Sequence, residues 1–402
     1  LSTTADAPLD AAKRLARAPE IPRACILAGQ TRSTMSTPVV NAQLRSRPSV
    51  VTSGKRRTRS RRAMVCVSAA TPGSANRTSV AAEIVGAILK FPPLWEAASK
   101  GAKEKMVKRA GELGIEWDSE VSELRSATDW EQALKDATDP AVVENTPEYY
   151  KTSFHAYPEG NLGWDPALEV EVAAKAVHAP VFSEDGKTLE KDGDEKLRSG
   201  YHRAQAQAMD HIDPEMRKNA KKVVDVGCSS GLSTRALVGA FPDAEQFVGL
   251  DLSNYFVAVA NHALDARPGD PHGYDRRKVR FQHGAGENMP FEDDSQDLVS
   301  SCLTFHELPA SAAQDVIREA YRVLKPGACL SLMDMDPTAP AFQRIANNVF
   351  AFTAFKSTEP YLEQYAALDV QEVMRRAGFE TVETRSSSPR HRTIVAKKPA
   401  AK

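Results

Sequence analysis

From residue 221 onward the chain alternates short apolar runs with longer amphipathic stretches. The short runs have the length of buried strands, and the longer stretches repeat their apolar residues at helical spacing. This alternation is typical of βαβ units and predicts a parallel sheet with helices on both faces. The predicted strands are Lys222–Val226, Gln246–Leu250, Val279–His283, Leu298–Leu303, Cys329–Met333, Glu380–Arg385 and Thr393–Lys397.

The predicted helices complete a doubly wound pattern. They cover Ser233–Ala240, Ser253–Ala266, Ser311–Leu324 and Val370–Ala377. Ser311 and Gln314 have the spacing of a capping box, and Lys325-Pro326-Gly327 is expected to end that helix. A short loop separates the last two strands, which is too short for a parallel crossover. The predicted fold is therefore α/β, with a seven-stranded, mostly parallel, doubly wound (Rossmann-like) sheet whose last strand is antiparallel.

The segments before the sheet have a different pattern. Residues 73–140 predict an N-terminal helical extension, in which Phe91-Pro92-Pro93 separates two apolar stripes. Residues 141–220 predict a cap rich in aromatic residues, followed by a helix that leads into the sheet. We expect residues 221–402 to form the main domain.

The beginning of the chain is basic. Residues 21–82 contain no Asp or Glu, and they contain eleven Lys and Arg residues together with many Ser and Thr. This composition predicts that residues 1–72 are a transit peptide for an organelle, with a chloroplast favoured over a mitochondrion. A basic disordered arm that binds nucleic acid is the alternative. The chain begins at Leu1 rather than at a methionine.

The rest of the chain is acidic. Residues 83–402 contain 38 basic and 50 acidic side chains, which argues against a nucleic-acid partner. The five cysteines lack metal-ligand spacing, so we expect a reducing compartment and no metal. No apolar run reaches 18 residues, so we expect no membrane span, although peripheral contact with a thylakoid or plastoglobule surface stays open. The sequence does not indicate an oligomeric state.

The first motif with chemical meaning follows the first predicted strand. It reads Val223-Val224-Asp225-Val226-Gly227-Cys228-Ser229-Ser230-Gly231. The glycines allow a ligand to approach the backbone, and the next helix offers free N–H groups there. The loop is Gly-x-x-x-Gly, whereas a nicotinamide site needs Gly-x-Gly-x-x-Gly for the pyrophosphate. A cofactor without a pyrophosphate therefore fits better.

Three later motifs follow the next strands. Asp251 ends the second strand, where a carboxylate can accept hydrogen bonds from both ribose hydroxyls, and Ser253 is a candidate helix cap. Gly284–Phe291 follows the third strand. His306 follows the fourth strand and is our candidate general base or orienting group. A structural role for His306 is the alternative.

These motifs, in this order, resemble those of class I S-adenosylmethionine-dependent methyltransferases. Residues 221–397 are similar to the type-11 methyltransferase domain, the group that includes the ubiquinone and menaquinone C-methyltransferases. Tyr149–Trp164, Phe305–Pro309, Ser357–Tyr365 and Ser388–Thr393 resemble a plastid subgroup from plants and algae. The resemblance implies S-adenosylmethionine as the cofactor, and implies cofactor contacts from Asp225, Gly227, Cys228, Ser229, Gly231, Asp251, Leu252, Ala285, Gly286, Glu287 and Leu303.

Two positions depart from the family pattern. Ser229 stands where the family often has glycine, and Ala285 stands where it commonly has an acid that binds the adenine amino group. We expect methyl transfer to a small apolar or aromatic acceptor, such as a quinone-like compound, a plastid pigment precursor or a phenol. The rival hypotheses are a methyltransferase-like scaffold without turnover and an NAD(P)-dependent reductase on a similar sheet.

Overall fold

The structure, a computed structural model, describes residues 92–183, 186–266, 276–348, 352, 355 and 358–401. The predicted transit segment, residues 1–72, and the first apolar stripe of the helical extension lie outside these residues. The seven strands are β1 (Lys222–Val226), β2 (Gln246–Asp251), β3 (Val279–His283), β4 (Gln296–Cys302), β5 (Leu324–Met335), β6 (Thr381–Ser388) and β7 (His391–Lys397).

The strands form one sheet in the order β3-β2-β1-β4-β5-β7-β6. Strands β1 to β5 are parallel, and β7 runs antiparallel to both of its neighbours. The predicted fold class is therefore confirmed, including the antiparallel last strand. Because the strand order reverses between β1 and β4, the carboxyl ends of these two strands border the crevice where open α/β sheets bind ligands.

Successive strand residues pack on opposite faces of the sheet. Val224 and Val299 belong to a core with the helices that follow β4 and precede β6. Their neighbours Val223 and Leu298 belong to a second core on the other face. The helices are α1 (Pro92–Glu112), α2 (Trp117–Arg125), α3 (Trp130–Ala137), α4 (Pro140–Glu144), α5 (Trp164–His178), α6 (Gly193–Ile212), α7 (Pro214–Asn219), α8 (Leu232–Ala240), α9 (Asn254–Ala266), α10 (Ala310–Val323), α11 (Pro340–Ala346), α12 (Leu362–Ala367) and α13 (Val370–Ala377).

The N-terminal helices share a third core with α5 and α9. Trp117 and Trp130 are buried there against Val172 of α5 and Phe256 of α9. The indole N–H of Trp130 donates to the carbonyl oxygen of Leu124 at 3.1 Å, so the polar end of this buried ring is satisfied. The helical extension is thus packed onto the main domain. None of the helices in the described part of the chain combines the length and apolar character needed to cross a lipid bilayer.

Two local predictions need correction. Helix α10 begins one residue before Ser311, with Pro309 at its cap, and the side chain of Gln364 accepts from the backbone N–H of Ala310 at 3.0 Å. The capping box from Ser311 was therefore wrong. Lys325-Pro326-Gly327 does end the helix but lies inside β5, which begins at Leu324. The cap by Ser253 is confirmed, since its Oγ accepts from the backbone N–H of Phe256 at 3.3 Å.

Helix α6 packs closely against β6 at Gly200, and a substitution there tests this contact. A Cβ at Gly200 would lie 2.2 Å from the carbonyl oxygen of Ser387, whereas a Cβ at Gly239 in α8 would meet nothing within 4 Å. We expect Gly200→Ala to lower the free energy of unfolding by about 2 kcal/mol through overpacking. Gly239→Ala should raise it by about 0.5 kcal/mol through helix propensity. Urea titrations would measure both, and an equal response of the two variants would contradict this packing.

Candidate active site

The loop after β1 has an unusual backbone. Gly227, Ser229 and Gly231 all adopt left-handed conformations, with φ of 71°, 51° and 88°. A Cβ at Gly227 would lie 2.5 Å from the side chain of Thr304, so this position needs glycine for space as well as for conformation. Ser229 takes the conformation that favours glycine, at a cost of about 1 kcal/mol. The departure from the family pattern at Ser229 thus leaves the shape of the loop intact.

Asp225 lies beneath this loop. Its side chain is 1% exposed, and its Oδ2 accepts from the hydroxyls of Ser233 at 2.6 Å and Thr234 at 2.7 Å. Its Oδ1 has no hydrogen-bond partner among the described residues. Burial raises the pKa of Asp225 to about 6. Asp225 lies behind the cavity wall and holds Ser233, which lines the cavity, and the cofactor contact that the resemblance implies for Asp225 stays a prediction.

Asp251 lies in the cavity wall at the tip of β2. Its Oδ2 accepts from the backbone N–H of Ser229 at 2.7 Å, and its Oδ1 accepts from that of Ser253 at 2.9 Å. The Tyr150 hydroxyl lies 3.5 Å from the same Oδ1. Burial raises the pKa of Asp251 to about 6, against the opposing effect of the two N–H donors. The carboxylate is therefore fixed in direction and keeps lone pairs for a ligand.

The segment after β3 supplies another wall of the cavity. Gly284, Gly286 and Glu287 line it, while Ala285 forms a narrow backbone bridge with Asn288. The Glu287 carboxylate accepts from the Tyr149 hydroxyl. Burial and the Glu287 charge raise the pKa of Tyr149 above its usual range, so Tyr149 stays a donor. Glu287 thus places a carboxylate two residues after Ala285, near the place where the family commonly has its acid.

His306 lies just beyond β4, in a short helical turn after Leu303, which also has a positive φ of 61°. Its Nδ1 is 2.8 Å from Asp334 Oδ1, and its backbone N–H donates to Asp334 Oδ2 at 3.1 Å. Although burial lowers it, the Asp334 charge raises the pKa of His306 to about 9. The ring is therefore cationic near neutral pH, and a cationic ring suits the predicted orienting role better than the predicted role as general base.

Several cavity residues were not identified from the sequence. Arg198 of α6 points to this wall, with its Nε 2.9 Å from Asp194 Oδ2 and its Nη1 3.7 Å from Cys302 Sγ. His155 contacts both Glu307 and Glu359, and all three line the same cavity. The aromatic segment 149–164 and the insert around residue 361 stood out in the sequence. Neither segment, however, contains a spacing that predicts contact between them.

Most of the side chains described above line a single cavity. It has a volume of about 490 Å³, and its lining extends from the tips of β1, β2 and β4 to a set of apolar residues of α1, α5 and α11, here called the apolar branch. Of the predicted cofactor residues, Gly227, Cys228, Ser229, Asp251, Leu252, Gly286, Glu287 and Leu303 lie in its wall. Asp225 acts from below, and Gly231 packs its backbone against Phe281.

The residues present fit S-adenosylmethionine. Asp251 is placed for a sugar diol, and the cradle at Gly227 has no space for a side chain. The Asn161 side chain is 6% exposed and lines the same cavity, and its Oδ1 is unpartnered among the described residues. Arg198 brings a guanidinium that can bind the cofactor's carboxylate.

The raised pKa of Asp251 predicts a pH dependence of cofactor binding. Above about pH 6 the carboxylate is ionised and accepts from ribose hydroxyls, whereas below pH 6 it is protonated and loses acceptor capacity. We expect the Kd of S-adenosylhomocysteine to be constant from pH 7 to 8 and to rise about tenfold per unit below pH 6. Calorimetry across this range would measure it. A flat profile down to pH 5 would contradict the role given to this carboxylate.

Comparison with known proteins places this site in context. Residues 224–332 match the family model of a methyltransferase domain. The demethylmenaquinone methyltransferase of Staphylococcus saprophyticus is 28% identical over 42% of this chain and 74% of its own length. That of Staphylococcus haemolyticus is 27% identical over 44% of this chain and 76% of its own length.

Solved structures give a more distant likeness. A methyltransferase structure from Thermotoga maritima, described as a possible histamine N-methyltransferase, is 18% identical over 50% of this chain and 91% of its own, with a TM-score of 0.35. The matched segment begins inside β1 and ends inside β5, so it contains the loops after β1, β2, β3 and β4. The sheet order, these loops and the matched segment together identify a class I S-adenosylmethionine-dependent methyltransferase domain in this chain, with S-adenosylmethionine as its cofactor.

Proposed function

We propose that this protein transfers a methyl group from S-adenosylmethionine to an aromatic acceptor that carries a long apolar tail, such as a prenylated quinol. The observation that carries the proposal is the continuity of the cavity. The same space that borders the cofactor residues at the strand tips extends into a branch with apolar walls.

The apolar branch is built from the helices outside the matched domain. One face of α5 contributes Val170, Ala173 and Val177, which are spaced by three and four residues and so lie on one side of the helix. Met106 of α1 and Phe342 of α11 also line the cavity. Burying an aliphatic chain here contributes roughly 0.8 kcal/mol per methylene. The branch therefore suits a hydrocarbon tail.

The cofactor half of the site is formed by charged and polar groups. Asp251 is placed for the ribose hydroxyls, and Arg198 is placed for the carboxylate. S-adenosylmethionine supplies a sulfonium methyl group, which is already activated toward nucleophiles. The task left to the protein is to position the acceptor and to exclude water.

Residues 148–161 and 358–361, here called the roof, contribute side chains to the wall of this half of the cavity. The backbone N–H of His155 donates to the carbonyl oxygen of Thr358 at 2.8 Å. The Tyr361 hydroxyl donates to the carbonyl oxygen of Tyr149 at 3.2 Å. These bonds hold the two segments of the roof together across the cavity. The arrangement supports a reaction that is shielded from solvent.

The relatives support the choice of a quinone-like acceptor. The two Staphylococcus proteins are named demethylmenaquinone methyltransferases, and their similarity extends through most of their length. A quinol ring with a prenyl tail combines the aromatic ring and the tail that the two parts of the cavity accommodate.

Incubation with candidate acceptors tests the proposal. The purified chain would be given S-adenosylmethionine with reduced prenylated quinones, unprenylated hydroquinones or phenols, and products would be followed by mass spectrometry. We expect a gain of one methyl group on tailed quinols. Binding of S-adenosylhomocysteine without any product would favour a scaffold. NADPH-dependent reduction of a carbonyl substrate would instead favour the reductase.

We also propose that the protein works in a chloroplast. The support is the acid-free, Arg-rich composition of residues 21–82. Residues 1–72 fused to a fluorescent protein should direct it to plastids in plant cells. Accumulation in mitochondria would favour the alternative organelle, and accumulation in nuclei would favour a nucleic-acid-binding arm.

A further inference from the structure

A pair of oppositely charged side chains lines the cavity beyond β4 without forming a hydrogen bond. His306 Nε2 lies 3.9 Å from Glu359 Oε2. Nδ1 of the same imidazole is held by Asp334, so Nε2 is directed by a fixed ring. Both His306 and Glu359 line the cavity. The separation is longer than a hydrogen bond, and an oxygen atom in the cavity beside the pair can lie within hydrogen-bond distance of both groups.

Glu359 is buried yet incompletely bonded. The residue is 6% exposed, and its Oε1 is 3.2 Å from His155 Nε2. Its Oε2 finds no hydrogen-bond donor in the part of the chain that the structure describes. A buried carboxylate oxygen without a donor costs about 1–3 kcal/mol. Such an atom in a cavity wall therefore indicates a ligand that donates a hydrogen.

The imidazolium of His306 indicates which chemical group the ligand presents to Glu359. His306 offers an N–H donor at the same place where Glu359 offers an acceptor. A hydroxyl group satisfies both, because its oxygen accepts from Nε2 while its hydrogen is donated to Oε2. A ring carbonyl or a methyl ether has no hydrogen to donate and leaves Glu359 unsatisfied.

We propose that Glu359 and His306 bind a hydroxyl of the acceptor ring between them, and that Glu359 takes its proton during methyl transfer. This inference rests on the proposed function and assigns a catalytic residue to it. It gives Glu359 the role of base that the sequence suggested for His306. His306 instead stabilises the negative charge that develops on the acceptor oxygen.

The proton and electron balance is simple. The hydroxyl proton moves to Glu359 Oε2, and the lone pair left behind is shared between the oxygen and the ring. The oxygen or a ring carbon forms the new bond to the methyl carbon, whose bond to sulfur breaks with its electron pair left on sulfur. If carbon is attacked, that carbon loses its own proton afterwards, and the oxygen takes a proton back from Glu359, which restores the hydroxyl. One proton is released for each methyl group transferred.

The charged groups around this pair come from three segments. His155 of the roof faces both Glu359 and Glu307, at 3.2 and 3.3 Å. Asp334 at the end of β5 holds His306 from behind. Although burial lowers it, the Glu359 and Glu307 charges raise the pKa of His155 above its usual range. Two cations and three carboxylates thus surround the proposed hydroxyl position.

Ligand binding tests the inference without turnover. With S-adenosylhomocysteine present, the affinities of a tailed hydroquinone and of its methyl ether would be compared by calorimetry. The native protein should prefer the hydroquinone about tenfold, and Glu359→Gln should lose this preference. Glu363→Gln, an exposed change four residues away, should keep it. A preference that survives in Glu359→Gln would overturn the proposal.

Turnover provides the second readout. Glu359→Gln should lower kcat about 100-fold with an ordinary hydroquinone, and less than tenfold with a fluorinated phenol that ionises near neutral pH. A merely structural role would slow both acceptors equally, and that result would reject Glu359 as the base. If the native chain shows the binding preference but methylates nothing, the proposed function fails while the hydroxyl site stands.

Discussion

Replacing Asp251 by alanine is expected to weaken S-adenosylhomocysteine binding about 1,000-fold. Asp251 lines the cavity, we expect it to accept from both sugar hydroxyls, and a hydrogen bond to a charged acceptor contributes about 2 kcal/mol. Two such bonds amount to roughly 4 kcal/mol, which is about three powers of ten in Kd. The change also releases the backbone N–H of Ser229, which Asp251 now holds at 2.7 Å. Calorimetry with the purified variant would measure the loss.

Asp243→Ala is the matched control, because Asp243 is exposed on the loop between α8 and β2. It should bind S-adenosylhomocysteine as the native chain does. The Asp251 variant leaves the backbone N–H groups of Ser229 and Ser253 without their acceptor, which costs about 1–3 kcal/mol for a buried donor. Its melting temperature without ligand is therefore measured first, and affinities are compared at a temperature where the native chain and the variant are both folded. An affinity within threefold of the native value would show that this carboxylate does not bind the cofactor.

Replacing Ala173 by tryptophan is expected to raise the KM for a tailed quinol about 100-fold. Ala173 lies in the wall of the apolar branch, and an indole there would occupy the space proposed for the tail. Displacing three or four methylenes from an apolar surface costs about 3 kcal/mol. The KM for a hydroquinone without a tail should change less than threefold, because the ring site lies at the strand tips. Steady-state kinetics with both acceptors would measure the contrast.

Ala141→Trp serves as the control for the added indole, since Ala141 is exposed on α4. Its kinetics with both acceptors should match those of the native chain. An equal loss for tailed and tailless acceptors in the Ala173 variant would mean that the branch does not hold a tail. Unchanged kinetics with both would place the acceptor elsewhere.

The sheet could be predicted because its strands are short apolar runs that are separated by polar, glycine or proline residues. β1 and β3 have the predicted bounds, and β5 was missed at its start because Pro326 and Gly327 are typical of a turn. There, Gly327 takes a φ of 86° while its N–H bonds to the carbonyl of Lys398, so the strand begins earlier than its composition suggests. Local sequence cannot show that the chain's last residues would provide this partner.

Some site residues could be predicted from the sequence and others could not, because local sequence does not show which distant segments meet. Asp251 lies at a strand tip, and the position of a strand tip follows from the sheet itself. Glu359 lies 53 residues after His306, in an insert with no periodic pattern, and its carboxylate is held in the cavity wall by His155, a distant residue in the sequence. The histidine was found and its protonation was not, because Asp334, which sets its pKa, comes from the next strand. The protonation of His306 depends on a side chain that is distant in sequence, and the spacing of residues along the chain does not predict that contact.

The division of the cavity wall has a consequence for how such a protein can change. Most of the residues proposed to hold the cofactor lie between residues 225 and 307, with Asn161 and Arg198 before them, whereas the apolar branch is lined mainly by residues before 180 and after 340. Substitutions in the outer segments alone can therefore change which acceptor binds, while the residues proposed to bind the cofactor stay the same. In chimeras that exchange those outer segments between two homologues, cofactor binding should follow the parent of the central segment. Acceptor preference should follow the parent of the outer segments.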